Sequence, residues 1–98
     1  MLNEILRRIQ RLPLAEGETP AENSFERTIF DYVQDAVSLL VQENVEADDS
    51  TNDPLIVSAV ECYVKTQINY DGRAEWYDQQ WEKRKTRLML DSDYDSEG

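Results

Sequence analysis

The residues of this chain best suited to chemistry are carboxylates, and they crowd into positions 43–53, which read ENVEADDSTND. Two carboxylates work as general acid and base only when their surroundings hold the two pKa values apart. A polar, aperiodic stretch offers no such asymmetry, so it reads as a surface connection. Calcium is the other chemistry to test, because Asp48, Ser50 and Asn52 alternate as loop ligands do. The EF-hand pattern then fails: no glycine follows at the sharp turn, and the twelfth position is Ala59 instead of a bidentate glutamate. The chain has no histidine, which excludes catalytic triads and imidazole acid-base chemistry and leaves the single Cys62 without a base. Cys62 stands between Val60 and Val64, where a thiol serves as a small apolar side chain. The glycines at 17, 72 and 98 are too scattered to cradle a phosphate. The expectation is therefore a protein that is not an enzyme, with no catalytic residues, no metal and no cofactor.

Charge narrows the partners. The net charge of −11 is regional: +2 over residues 1–12, −10 over 13–53, +1 over 54–90 and −4 over 91–98. An acidic surface repels phosphate backbones and anionic lipid, which argues against general nucleic-acid binding and membrane attachment. No apolar run approaches the roughly 20 residues of a membrane span, and no leader pattern opens the chain. A soluble protein made in a reducing cytoplasm is expected.

The elements that would position these residues are helical. Leu2, Ile5, Leu6, Ile9 and Leu12 recur at helical spacing until Pro13 and Gly17 close the segment. Arg7, Arg8 and Arg11 crowd its C-terminal half, where the helix dipole favours cations or an acidic partner would find them. Thr19-Pro20-Ala21-Glu22 has the form of a capping box, with Asn23 and Ser24 offering a later start. A long helix follows, with Phe25, Ile29, Val33, Ala36, Val37 and Leu40 on one stripe.

Asp53-Pro54 is a strong helix start, a capping carboxylate followed by proline at the first helical position. The helix from 54 to about 69 is apolar around most of its circumference, with only Ser58, Glu61 and Lys65 on a narrow polar arc. Such a helix must be central. Tyr70-Asp71-Gly72 breaks it, and helical spacing resumes over 73–90. Trp76 and Trp81 are five apart and cannot both face one core line. One of them completes the core and the other, with Tyr77 beside it, is available for a subunit contact. Lys83, Arg84, Lys85 and Arg87 form the second basic cluster, complementing the helix end or meeting an acidic surface. The fold class is all-α, a small bundle of about four helices over residues 1–90, with an extended acidic tail over 91–98 that orders on a partner.

The run Asn52-Asp53-Pro54-Leu55-Ile56, continuing through Ala59-Val60 and Tyr63-Val64-Lys65 to Tyr70-Asp71, resembles the signature helix of tailed-bacteriophage head-tail connector (adaptor, head-completion) proteins of the small helical family. The following helix from Trp76-Tyr77 to Leu88, ending in Leu90-Asp91-Ser92-Asp93-Tyr94, is similar to that family's closing segment. The likeness covers about 43 residues, 52–94. Residues 1–42 follow the family in outline only: a short helix, an acidic turn and a long helix.

The resemblance implies a structural virion protein of the phage neck, one copy in a ring expected to be dodecameric. That ring would dock on the portal protein, meet a tail-proximal stopper or neck protein, and let double-stranded DNA pass without specific binding during packaging and ejection. It makes Leu88, Leu90, Asp91, Asp93 and Tyr94 portal-facing candidates, and Trp76, Tyr77 and Trp81 candidates for contacts between copies. Glu43, Glu46, Asp48 and Asp49 become candidates to line the channel, where repeated acid would keep DNA from adhering. An acidic helical module that mimics DNA or sequesters a basic enzyme is the alternative, distinguished by not needing the two unlike patches of a ring subunit.

Overall fold

The computed structural model describes residues 1–48, 50–91 and Tyr94. Among them the elements are α1 (Leu2–Arg8), α2 (Phe25–Gln42), α3 (Pro54–Gln67), a 3-10 turn (Tyr70–Gly72) and α4 (Ala74–Leu90). The fold is all-α. α3 starts where its sequence says it must: the Asp53 carboxylate accepts a hydrogen bond from the Leu55 N–H at 2.9 Å, and Pro54 occupies a position whose missing N–H costs nothing. Its apolar circumference is then covered by neighbours. α4 packs along one side, α2 along another, and α1 lies across α2 and α3. Ile56, Val60 and Val64 of α3, with Ile5, Leu6, Ile29 and Leu40, make up much of a single core.

The helix ends explain where the observed boundaries depart from the expected ones. α1 stops at Arg8, a turn before Leu12, because Gln10 takes the left-handed conformation (φ 63°). The Arg11 N–H then donates to the Leu6 carbonyl at 2.8 Å and the Gln10 N–H to the Arg7 carbonyl at 3.0 Å, a Schellman closure. Leu12 is left outside the core, 87% exposed. α2 begins at the later of its two starts: the Ser24 hydroxyl oxygen accepts from the Arg27 N–H at 3.1 Å, so the box at Thr19 goes unused. Its far end closes as α1 does, with Asn44 left-handed (φ 64°) and the Val45 N–H donating to the Leu40 carbonyl at 2.9 Å. That closure turns Val45 inward to pack in the same core as Leu40. The 43–53 connection is thus anchored by one buried residue and is not exposed throughout, as its polarity suggested.

The tryptophans divide as their spacing requires. Trp81 is buried, its ring edge-on to Tyr63 at 5.2 Å, whereas Trp76 remains 43% exposed. Replacing Trp81 with alanine should cost about 3–5 kcal/mol. The same change at Trp76 should cost about 1 kcal/mol or less. Denaturant midpoints at constant m-value would measure both. The side-chain nitrogen of Gln34 on α2 is buried without a hydrogen-bond partner among the described residues. Gln34→Met should therefore raise stability, by about 1 kcal/mol, in the same experiment.

Candidate functional site

α4 carries Trp76, Tyr77, Trp81, Leu88 and Leu90, five of the twelve candidate residues, and a compact turn sets its geometry against α3. Asn69 (φ 49°), Asp71 (φ 54°) and Gly72 (φ 68°) are all left-handed, which reverses the chain within a few residues. The Asn69 side-chain oxygen accepts from the Ala74 N–H at 3.2 Å, tying the end of α3 to the first turn of α4. Aromatic rings fill the corner: Tyr77 meets Tyr70 at 6.2 Å and Trp76 at 5.0 Å, both edge-on.

Beside that corner, the polar arc of α3 forms an ionic network. The Glu61 carboxylate accepts from Arg8 of α1 at 2.7 Å through one oxygen and from Lys65 at 2.8 Å through the other. Arg8 also reaches Glu4 at 3.0 Å. The Lys65 ammonium lies over the Tyr70 ring at 4.7 Å and the Tyr77 ring at 5.3 Å, and the residue is 9% exposed. Burial by itself would push the Glu61 carboxyl up, but the hydrogen bonds from Lys65 and Arg8 outweigh it and hold the group below its ordinary value. Burial opposes the charge on Lys65 too, and Glu61 more than compensates, so its pKa is raised.

A cavity of about 250 Å³ opens between this arc and α4, with Ser58, Glu61, Cys62 and Lys65 on one side and Arg73, Trp76 and Arg84 on the other. Among the described residues lining it, Glu61 is the one acid. Arg73 stacks on Trp76 at 4.5 Å. The Cys62 thiol is buried, and burial pushes its pKa up, which keeps it in the unreactive protonated form at neutral pH.

The expected portal-facing residues do not form one surface. Leu88 is buried beside Leu55, so its side chain belongs to the core and the expectation of a surface contact there is corrected. Leu90 is 82% exposed and Asp91 half-buried. Tyr94 is half-buried: its hydroxyl donates to the Asp53 carboxylate at 3.1 Å, and its carbonyl accepts from the Glu46 N–H at 2.8 Å. The closing segment thus returns to the first turn of α3 at this residue. Asp93 and residues 95–98 lie outside the described residues, as does Asp49.

Of the subunit-contact candidates, Tyr77 and Trp81 are buried and only Trp76 is at the surface. Glu43, Glu46 and Asp48 are exposed and follow one another just past the end of α2. Asp48 accepts from the Ser50 hydroxyl at 2.6 Å and the Ser50 N–H at 2.8 Å, and these bonds hold its carboxyl below the usual range. Among the described residues no group of three potential metal ligands converges. No helix among them is long and apolar enough to cross a membrane.

The network around Glu61 is what sequence reasoning missed. The polar arc of α3 was legible, but its partner Arg8 lies 53 positions away and had a sufficient local explanation in the helix dipole. Arg73 carried no signal of its own. No family model matches the chain, and no significant match is found among curated proteins or solved structures.

The folded-state pKa of Glu61 is depressed, so its contribution to stability is complete above the ordinary carboxylate value of about 4.3 and is lost as pH falls below it. Glu61→Gln should flatten the acid limb of a stability-versus-pH curve relative to the parent chain. At neutral pH, Glu61→Ala should cost about 2 kcal/mol, and a double-mutant cycle with Arg8→Ala should show coupling between the two sites.

Proposed function

We propose that this chain is a structural subunit of a tailed-phage head-tail connector, a ring that docks on the portal and extends the DNA channel toward the tail. The observation that carries the reading is the division of the surface left by the α3–α4 pair. The run that resembles connector proteins forms the central helix and its aromatic corner, and it leaves Trp76 exposed on one side of the molecule beside Arg73 and Arg84, which form no salt bridge among the described residues. Exposed carboxylates at Glu43, Glu46 and Asp48 lie past the end of α2, a different helix. A ring built head to tail requires two unlike patches on each subunit, and the difference between these two exposed regions supports that reading. A DNA mimic would need the acid alone, so the cationic side of α4 favours the connector reading over the acidic-inhibitor alternative. Portal contact falls to Leu90 and Asp91 near the end of α4, with neighbouring copies meeting through Trp76.

Electron microscopy of particles carrying a tagged chain should place density between portal and tail, and mass spectrometry of purified particles should find the chain with the portal protein. Recovery with a basic enzyme and absence from particles would instead establish the inhibitor reading. If repeated acid lines the channel, replacing Glu43, Glu46, Asp48 and Asp49 with lysine should slow DNA ejection, measured as dye uptake by released genome. Ejection at the parental rate would remove these residues from the channel.

A further inference from the structure

The cavity of about 250 Å³ between α3 and α4 has a charge excess that the fold itself does not use. Among the described residues lining it, Lys65, Arg73 and Arg84 stand against one acid, Glu61. Both oxygens of Glu61 are engaged, one by Arg8 at 2.7 Å and the other by Lys65 at 2.8 Å, so its charge is answered without either lining arginine. Arg73 and Arg84 form no salt bridge among the described residues, in a chain that carries 21 acidic side chains. Both are exposed, and each is supported on one side. The Arg73 guanidinium lies over the Trp76 ring at 4.5 Å and reaches the Tyr77 ring at 6.0 Å, and Arg84 lies beside the Cys62 thiol. A guanidinium laid on an aromatic face keeps the N–H groups of its planar fork available, and that edge is the one a carboxylate takes in two parallel hydrogen bonds.

Spacing decides what the two arginines can hold. Arg73 and Arg84 are eleven positions apart, about 16 Å along the axis of α4. That separation suits two anionic groups on one ligand better than a single phosphate, and it is longer than a metabolite-sized dicarboxylate. An extended peptide at about 3.3 Å per residue covers it in about five residues. Duplex DNA fits poorly, because a net charge of −11 repels its backbone. The chain's own acids at 43–48 are not such a segment, since Asn44 is left-handed and Asp48 is folded back onto Ser50. We propose that the cavity is the floor of a docking groove for an extended acidic segment of a different protein, with one carboxylate on Arg73, a second about five residues along on Arg84, and the backbone between them over Ser58 and Cys62. Trp76 enters only through the ring face under Arg73, so the contact between copies assigned to its exposed surface stands separately. The groove does not rest on the connector reading.

Isothermal titration with blocked hexapeptides tests the groove. One peptide carries glutamate at its first and last positions with serine between, which is the proposed spacing, and its isomer carries the two glutamates side by side with the same charge. The spaced peptide should bind about tenfold tighter than the isomer, and more weakly as salt rises. R73A and R84A, both at exposed positions, should each reduce its affinity about tenfold and together about a hundredfold, with circular dichroism verifying that the variants fold. R73K should not restore binding, because lysine lacks the planar fork. Equal affinity for the two isomers, unchanged affinity in R73A/R84A, or no binding at millimolar peptide would each overturn the proposal. Inorganic phosphate that displaces the spaced peptide at a lower concentration than the peptide itself needs would overturn it too. So would a duplex DNA mobility shift, or a self-association in sedimentation velocity, that R73A/R84A abolishes. A chain found in connector density that ignores the spaced peptide would lose the groove and keep the connector reading, and peptide binding by a chain absent from particles would do the reverse.

Discussion

A helix that is apolar on nearly every side cannot stand at a surface, and α3 imposes that constraint on the whole molecule. Burying Ile56, Val60 and Val64 requires α2 and α1 on one side, while burying Ala59 and Cys62 requires α4 on another. The remaining arc is polar but also covered, and Glu61 makes that tolerable because each of its oxygens has a cation within 2.8 Å. Without Arg8 from α1, this half-buried carboxylate would lose one of its two cationic partners. The network is therefore a registry device as well as an ion pair: it specifies where α1 lies on α3, which apolar contacts alone would leave loosely determined.

Much of this arrangement was legible in the sequence, and the legible parts share a cause. Asp53-Pro54 and the break at 70–72 act locally, through side-chain capping, a fixed proline φ and left-handed backbone, so a few residues decide them. The breadth of apolar residues on α3 likewise dictates a central position whatever covers it. Boundaries set by non-glycine left-handed residues were not legible: Gln10 gives no warning that α1 stops before Leu12. Val45 was hidden for a related reason, since one valine among acids has no periodicity, and only the closure past Leu40 turns it inward.

The candidate surfaces show the limit more sharply. Spacing required Trp76 and Trp81 to part company, but which one entered the core depended on Tyr63, a residue of another helix. The pairing of Arg8 with Glu61 and the return of Tyr94 to Asp53 join positions 53 and 41 apart, and no local pattern announces such contacts. The basic run near the end of α4 was visible, yet its alignment with Arg73 and Trp76 beside a cavity needed the helix to be placed against α3.

The Tyr94 contact has a mechanical side. Its hydroxyl shares the Asp53 carboxylate with the Leu55 N–H, so the last described residue and the opening turn of the central helix depend on one group. The two regions therefore share one acceptor, and a change at either alters the hydrogen bonding of the other. A partner that drew Tyr94 away would unfasten one restraint on the start of α3, and a signal applied at the end of the chain would arrive at its centre.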